Sequence, residues 1–216
     1  MEYFFIIDEI KNMLSQSLGR TDCNFTERYY YTRFLRELRL NSIKLEFEKM
    51  LDLPGRQQLM ERVAIFVAQS LQPEKDVFYS NVKTSLDRIA QDVLNCLREK
   101  HLKHSIFSTS DETFSYWENN NIDDNHWDEK ESTQIMDTLQ KYIFEALNYR
   151  TCNPRDTTVE CLYIDRVLKN KCGHEIILLI IYQRGQETWS MLSNNKTGTS
   201  LLYILDTKII SIIINS

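Results

Sequence analysis

The chain has 216 residues, a hydrophobic content of 42% and a formal net charge of −5. This composition is typical of a folded globular protein, and its acidic balance supplies no basic field for a nucleic-acid backbone. With five glycines and three prolines, the chain is too poor in turn residues for an all-β fold. The longest apolar run, Ile176–Tyr182, is far shorter than the roughly 20 residues of a membrane-spanning helix. We therefore predict a mainly α fold of helical bundle-like modules, with no nucleic-acid or membrane partner.

Apolar residues recur at helical spacing through the first 107 residues. The pattern predicts a helix over Glu2–Gln16, a long helix that Asn24 opens as its N-cap, and a third helix over Gln57–Leu71. The predicted buried face of the long helix consists of Tyr31, Phe34, Leu35, Leu38, Ser42 and Leu45. The clearest stripe belongs to the next helix and consists of Val82, Leu86, Ile89, Val93 and Leu97. These spacings predict a helical first module.

Residues 108–131 differ in character from the helices on either side. Eight of them are acidic against a single lysine, and no helical periodicity is sustained. A long, acidic, Asn-rich stretch is typical of a solvated linker, so we predict a linker here. Trp117 and Trp127 lie within it, and they either dock on a neighbouring core or anchor a partner. Docking is the favoured interpretation, because isolated aromatic residues in loops usually cover a nearby core.

Helical periodicity resumes at Ser132, and the predicted buried face consists of Ile135, Leu139, Tyr142, Ile143 and Ala146. Asp156 can cap a further short helix, and the apolar run Ile176–Tyr182 predicts a buried helix. The last segment, 185–216, is polar at first and then rich in Ile and Leu. It leaves open short C-terminal strands or a sequence that did not evolve as a C-terminus.

The five cysteines are odd in number and widely spread: Cys23, Cys96, Cys152, Cys161 and Cys172. They form no C-x-x-C pair, so neither a zinc site nor a redox motif is indicated. We predict that they are reduced thiols used as small apolar residues. The apolar N-terminus has no basic residue before it and is unlike a secretory signal, which favours a cytoplasmic or nuclear protein.

Cys172 is the one weak candidate for catalysis, because it precedes a predicted helix N-terminus. His174 is adjacent in sequence, while the other histidines (His101, His104 and His126) lie upstream. The favoured interpretation is a structural turn with a buried thiol. The spacing of His101 and His104 does not suit a helical metal pair, and we predict a solvated helix end there. With no glycine-rich phosphate loop either, no metal and no cofactor are predicted.

Several segments, in matching order, resemble the F-box only protein 21 family. Tyr3–Ile10 and Arg28–Leu38 are similar to the helical region that follows the family's F-box, and Val82–Arg98 is similar to its next helix. Ile135–Leu139 and the residues that follow, up to Gly173, are similar to the opening of its SirB-type, transglutaminase-like core. The resemblance covers about residues 3–184.

In this family the F-box recruits the Skp adaptor and the cullin scaffold, and the remainder selects substrates for ubiquitination. The resemblance implies a truncated, non-catalytic substrate-recognition fragment that starts after the F-box and binds proteins. It divides the chain into a helical region (1–107), an acidic linker (108–131), an incomplete SirB-type domain (132–184) and a divergent tail (185–216). The alternative is a transglutaminase-like thiol acyl transferase or protease that uses Cys172.

Partner contact in such a fragment would run through helix faces, including the aromatic-rich region Phe25–Phe34. Plain core packing of these aromatic residues is the competing interpretation and the favoured one.

Overall fold

The computed structural model describes residues 2–17, 25–121, 127–153 and 158–187, and eight α-helices account for most of them. The helices are α1 (Glu2–Ser17), α2 (Phe25–Leu51), α3 (Met60–Leu71), α4 (Tyr79–Lys100), α5 (Asp111–Asn119), α6 (Glu129–Gln140), α7 (Ile164–Asn170) and α8 (Glu175–Glu187). Shorter helical turns cover Gly55–Gln57, Ser105–Ser108, Lys141–Ala146 and Val159–Leu162. The predicted mainly α fold is confirmed.

The main hydrophobic core lies between α3, α4, α6, α7 and α8. The predicted stripe of α4 is confirmed, because all five of its residues are buried in this core. The predicted helix at Ile176–Tyr182 is also confirmed: it forms most of α8, which contacts the other four core helices. An apolar run with little polar interruption suits a helix that meets neighbours on several sides.

Helix α2 buries only part of the predicted face: Leu35 is buried as predicted, and Leu38 packs beside it against α1. Its buried residues are Leu35, Arg39, Ile43, Phe47 and Met50, whereas Tyr31, Phe34 and Leu45 are exposed. Both faces of the helix carry apolar side chains, so periodicity alone does not identify the face that meets α3. The choice follows from packing, since the second half of α2 forms a small cluster with α3.

The acidic segment forms helix ends and does not form the predicted solvated linker over its described residues. Ser110 caps α5, where its hydroxyl accepts a hydrogen bond from the Thr113 N–H at 3.3 Å. Asp128 caps α6, where its carboxylate accepts from the Glu131 N–H at 2.7 Å. Acidic residues are favoured at helix N-termini because the macrodipole is positive there. Several of the acidic residues therefore begin helices.

The predicted docking of the two tryptophans is confirmed. Trp117 and Trp127 are 3% and 7% exposed, and their ring centroids lie 5.9 Å apart in an edge-to-face arrangement. Both belong to the main core, which therefore takes members from both sides of the predicted linker. The predicted module boundaries themselves stay a prediction.

Two short strands, β1 (Arg150–Thr151) and β2 (Cys172–Gly173), pair in parallel, and β2 lies just before α8 in the chain. Arg150 lies opposite Cys172, and Thr151 lies opposite Gly173. The predicted cap at Asp156 and the C-terminal strands left open within 188–216 lie outside the described residues. None of the described helices is both long and apolar enough to cross a membrane.

Candidate functional site

Cys172, the residue that the sequence singles out for thiol chemistry, lies in a cluster of three cysteines. Its sulfur is 3.4 Å from the sulfur of Cys152, which directly follows β1. Cys152 forms a disulfide with Cys161, whose Cα lies 6.6 Å from its own. The prediction of reduced, scattered thiols is therefore wrong for this pair.

Backbone pairing brings the three cysteines together. The Cys152 N–H donates to the Gly173 carbonyl at 3.0 Å, which extends the β1–β2 ladder by one residue. The His174 N–H donates to the Cys161 carbonyl at 2.8 Å, so the segment that contains Cys161 is hydrogen-bonded to the residue after β2. Sequence reasoning missed this cluster because its separations of 9 and 20 residues match no short cysteine motif.

The His174 side chain caps the N-terminus of α8. Its Nδ1 accepts a hydrogen bond from the Ile176 N–H at 3.2 Å and so caps the first turn of the helix. A cysteine nucleophile of the Cys–His type needs an imidazole within hydrogen-bond reach of its sulfur. Over the described ranges, the Cys172 sulfur contacts another sulfur and hydrogen-bonds to no imidazole. His126 lies outside those ranges.

The predicted solvated helix end at His101 and His104 is wrong for His104. This residue is 5% exposed, and its ring lies 5.5 Å from that of Trp127. Its Nδ1 accepts from the Ile106 N–H at 3.1 Å, so Nε2 carries the proton that faces the Glu131 carbonyl at 3.2 Å. His101 ends α4. In the described part of the chain, no group of three or more potential ligands is arranged to hold a metal ion.

Lys171 and Tyr149 form a partly buried polar pair beside the cysteine cluster. The Lys171 backbone is left-handed, with φ at 59°, and its ammonium donates to the Tyr149 hydroxyl at 2.9 Å. Burial lowers the pKa of Lys171 and raises the pKa of Tyr149 to about 12. Tyr142 also has a pKa raised to about 12, through burial and a hydrogen bond to Asp92.

These two tyrosines predict a loss of stability at high pH. In the unfolded chain a tyrosine loses its proton near pH 10, whereas Tyr142 and Tyr149 keep theirs to about pH 12. Between these values the unfolded state binds fewer protons, so the free energy of unfolding falls as the pH rises. Urea unfolding across this window measures the effect. Tyr142→Phe should reduce the pH dependence, because it removes one of the two groups whose pKa is raised.

A polar cleft of about 710 Å³ lies between the end of α4 and the face of α6. Its lining alternates in sign, with Lys100 and Lys141 opposed by Asp128 and Asp137. Such a mixture supplies no single-sign field for a charged ligand.

The first half of α2 carries four exposed aromatic side chains, Phe25, Tyr29, Tyr30 and Phe34, which lie on two sides of the helix and are together called the aromatic face. These side chains are 79%, 59%, 62% and 52% exposed, respectively. The rings of Tyr29 and Tyr30 pack edge to face, with centroids 5.6 Å apart. The favoured expectation of core packing is therefore wrong for these four residues.

The packing of α2 explains why this aromatic face is exposed, because in the first half Leu35 and Leu38 are the residues that pack against α1. The helix has 27 residues and spans about 40 Å, and only its second half packs against α3. Asp76 holds the middle of the helix, since its carboxylate accepts from Arg39 at 2.6 Å and from Lys11 of α1 at 2.8 Å. The half of α2 that carries the aromatic face therefore lies N-terminal to Arg39, on a helix that Asp76 holds in place.

No family model matches the chain, and no curated protein or solved structure matches it. The function is therefore argued from the geometry of these two features, the cysteine cluster and the aromatic face.

Proposed function

We propose that the protein is a non-catalytic protein-binding module whose aromatic face docks into an apolar groove of a partner protein. The observation that carries this proposal is the exposure of four large aromatic side chains on one braced helix. Contiguous exposed apolar patches on folded proteins commonly mark interaction sites. Aromatic residues and arginine supply most of the binding energy at protein interfaces.

The spacing of the aromatic face suits helix-in-groove recognition. Phe25 and Tyr29 are four residues apart, as are Tyr30 and Phe34, so each pair presents adjacent anchors on the helix surface. The two pairs lie about 140° apart around the helix, so a single groove takes one pair at a time. Residues 25–40 contain four arginines and two glutamates within a chain whose net charge is −5. This local excess of positive charge favours a partner whose groove is edged with carboxylates.

The family resemblance extends the proposal to substrate recognition for a cullin-type ubiquitin ligase. Arg28–Leu38, one of the segments that carries the resemblance, contains three of the four residues of the aromatic face. In this proposal the aromatic face selects a protein substrate or contacts a ligase component such as the Skp adaptor.

The double variant Tyr30→Ala/Phe34→Ala is expected to weaken partner binding. Anchors of this type cost about 2 kcal/mol or more when truncated, so the affinity should fall by about thirtyfold or more. Co-precipitation of the Skp adaptor, the cullin and bound substrates with the full chain identifies partners, and titration with the purified partner measures the affinity. Phe78→Ala is the matched control, because Phe78 is 56% exposed and lies outside the aromatic face.

Two results would contradict this proposal. One is unchanged binding of every identified partner by the double variant at unchanged stability. The other is a wild-type dimer that the double variant converts to monomer in sedimentation, because the aromatic face would then serve self-association.

A further inference from the structure

We propose that Cys152, Cys161 and Cys172 form a thiol–disulfide exchange site, in which the bond moves between Cys152–Cys161 and Cys152–Cys172. This inference is independent of partner binding through the aromatic face. It rests on a third sulfur held in contact with a disulfide.

The contact distance suits the chemistry. The Cys172 sulfur lies 3.4 Å from the Cys152 sulfur, within the range of about 3–3.5 Å at which reacting atoms are positioned for attack. Thiol–disulfide exchange begins when a thiolate attacks one sulfur of a disulfide. Cys152 is therefore the central sulfur, and Cys161 and Cys172 compete for it.

The step balances without an external oxidant or reductant. The Cys172 thiol first gives its proton to solvent, and the resulting thiolate attacks the Cys152 sulfur. A bond forms between Cys172 and Cys152 as the bond between Cys152 and Cys161 breaks. Cys161 leaves as a thiolate and takes a proton from solvent. One disulfide and one thiol are present both before and after the step.

The three sulfurs differ in their access to solvent. Cys172 and Cys152 are partly exposed, whereas Cys161 is 7% exposed. Exchange therefore converts an accessible thiol at Cys172 into a sheltered thiol at Cys161. The chemical partner that such a site accepts is a small thiol or disulfide of the glutathione type, which can reach Cys172 or Cys152.

The backbone holds the site together in both states. The pairing of Arg150 with Cys172 and the hydrogen bond from Cys152 to Gly173 fix β1 beside β2. The hydrogen bond from the His174 N–H to the Cys161 carbonyl holds the segment that contains Cys161 beside β2. Because these contacts involve main-chain atoms, moving the disulfide bond breaks none of them. Exchange then requires rotation of the cysteine side chains within a fixed frame.

Disulfide mapping of the full chain tests this inference. The protein is equilibrated in a glutathione redox buffer at neutral pH, quenched with acid and alkylated, and the linked peptides are identified by mass spectrometry. Both Cys152–Cys161 and Cys152–Cys172 peptides are expected. Loss of alkylation at Cys172 should be matched by an equal gain at Cys161. Cys96, a free cysteine in α4, should stay alkylated throughout and serves as the internal control.

Two variants separate the competing sulfurs. In Cys161→Ser the Cys152–Cys172 disulfide should become the main product under oxidising conditions. In Cys172→Ser only Cys152–Cys161 should form. Circular dichroism of the same samples checks that each variant is folded, and where Cys161→Ser is unfolded the wild-type map alone decides.

Absence of the Cys152–Cys172 peptide from the wild-type protein and from folded Cys161→Ser would overturn the proposal. Pairing of Cys152 with Cys96 as often as with Cys172 would also overturn it, because exchange would then reflect unfolded chains. A urea-denatured sample provides the reference pattern for such random pairing.

Discussion

Trp117→Ala is expected to lower the free energy of unfolding by about 3–5 kcal/mol, the range typical of a buried aromatic side chain truncated to alanine. The indole is 3% exposed and packs edge to face on Phe114, at 5.4 Å, and on Trp127, at 5.9 Å. Its removal leaves a cavity where α5 meets the main core. Urea unfolding followed by circular dichroism measures the change.

Tyr116→Ala provides the control for this experiment. Tyr116 is the preceding residue of the same helix and is 49% exposed, so its truncation should change stability by only about 0.5 kcal/mol. The comparison also tests whether the acidic segment is packed against the core or is a solvated linker. In a solvated linker both substitutions would have equally small effects, and that outcome would contradict the packing described for α5.

Gly173→Ala is expected to destabilise the protein by about 1–3 kcal/mol, the usual cost of overpacking a core. A Cβ at position 173 would lie 2.5 Å from Cγ1 and 2.6 Å from Cγ2 of Val167, a residue that is completely buried in α7. The glycine is therefore required by close approach of β2 to α7. Because the added methyl group pushes β2 away from its neighbours, the contact between Cys172 and Cys152 should also be disturbed.

Gly55→Ala is the matched control, since no atom lies within 4 Å of a Cβ at that position. A second comparison uses Val167→Ala, which removes both methyl groups that the new side chain meets. The double variant Gly173→Ala/Val167→Ala should be more stable than the sum of the single effects predicts, because the two closest contacts are removed and only the Val167 Cβ, at 3.1 Å, remains close. Strict additivity of the two effects would contradict a steric cause.

Helix α2 shows which features local sequence determines and which features tertiary packing determines. Its existence follows from local sequence, but apolar side chains occur on more than one side of it. Packing against α3 selects Ile43, Phe47 and Met50. In the first half, packing against α1 buries Leu35 and leaves Tyr30 and Phe34 exposed. The proposed binding surface therefore arises from a tertiary choice between two apolar faces.

The acidic segment and the cysteines differ from their predicted structures for a related reason. Charge density suggests solvation, yet Asp128 caps a helix and Trp117 anchors the region in the core. The spacing of the cysteines carries no motif, yet the parallel pairing of β1 with β2 places Cys172 beside Cys152, 20 residues away in the chain. The burial of Trp117 and the pairing of β1 with β2 both depend on the position of elements far apart in the chain, which composition does not encode.

The sequence by itself determined the helical class, the buried face of α4 and the buried helix α8. In each case a single one-sided or continuous apolar pattern admits one way of removing hydrophobic area from water. Only the tertiary structure decided which side of α2 stays exposed, that His104 is buried, and that three cysteines meet. These features depend on contacts between residues far apart in the chain, and such contacts are selected by the packing of the whole core.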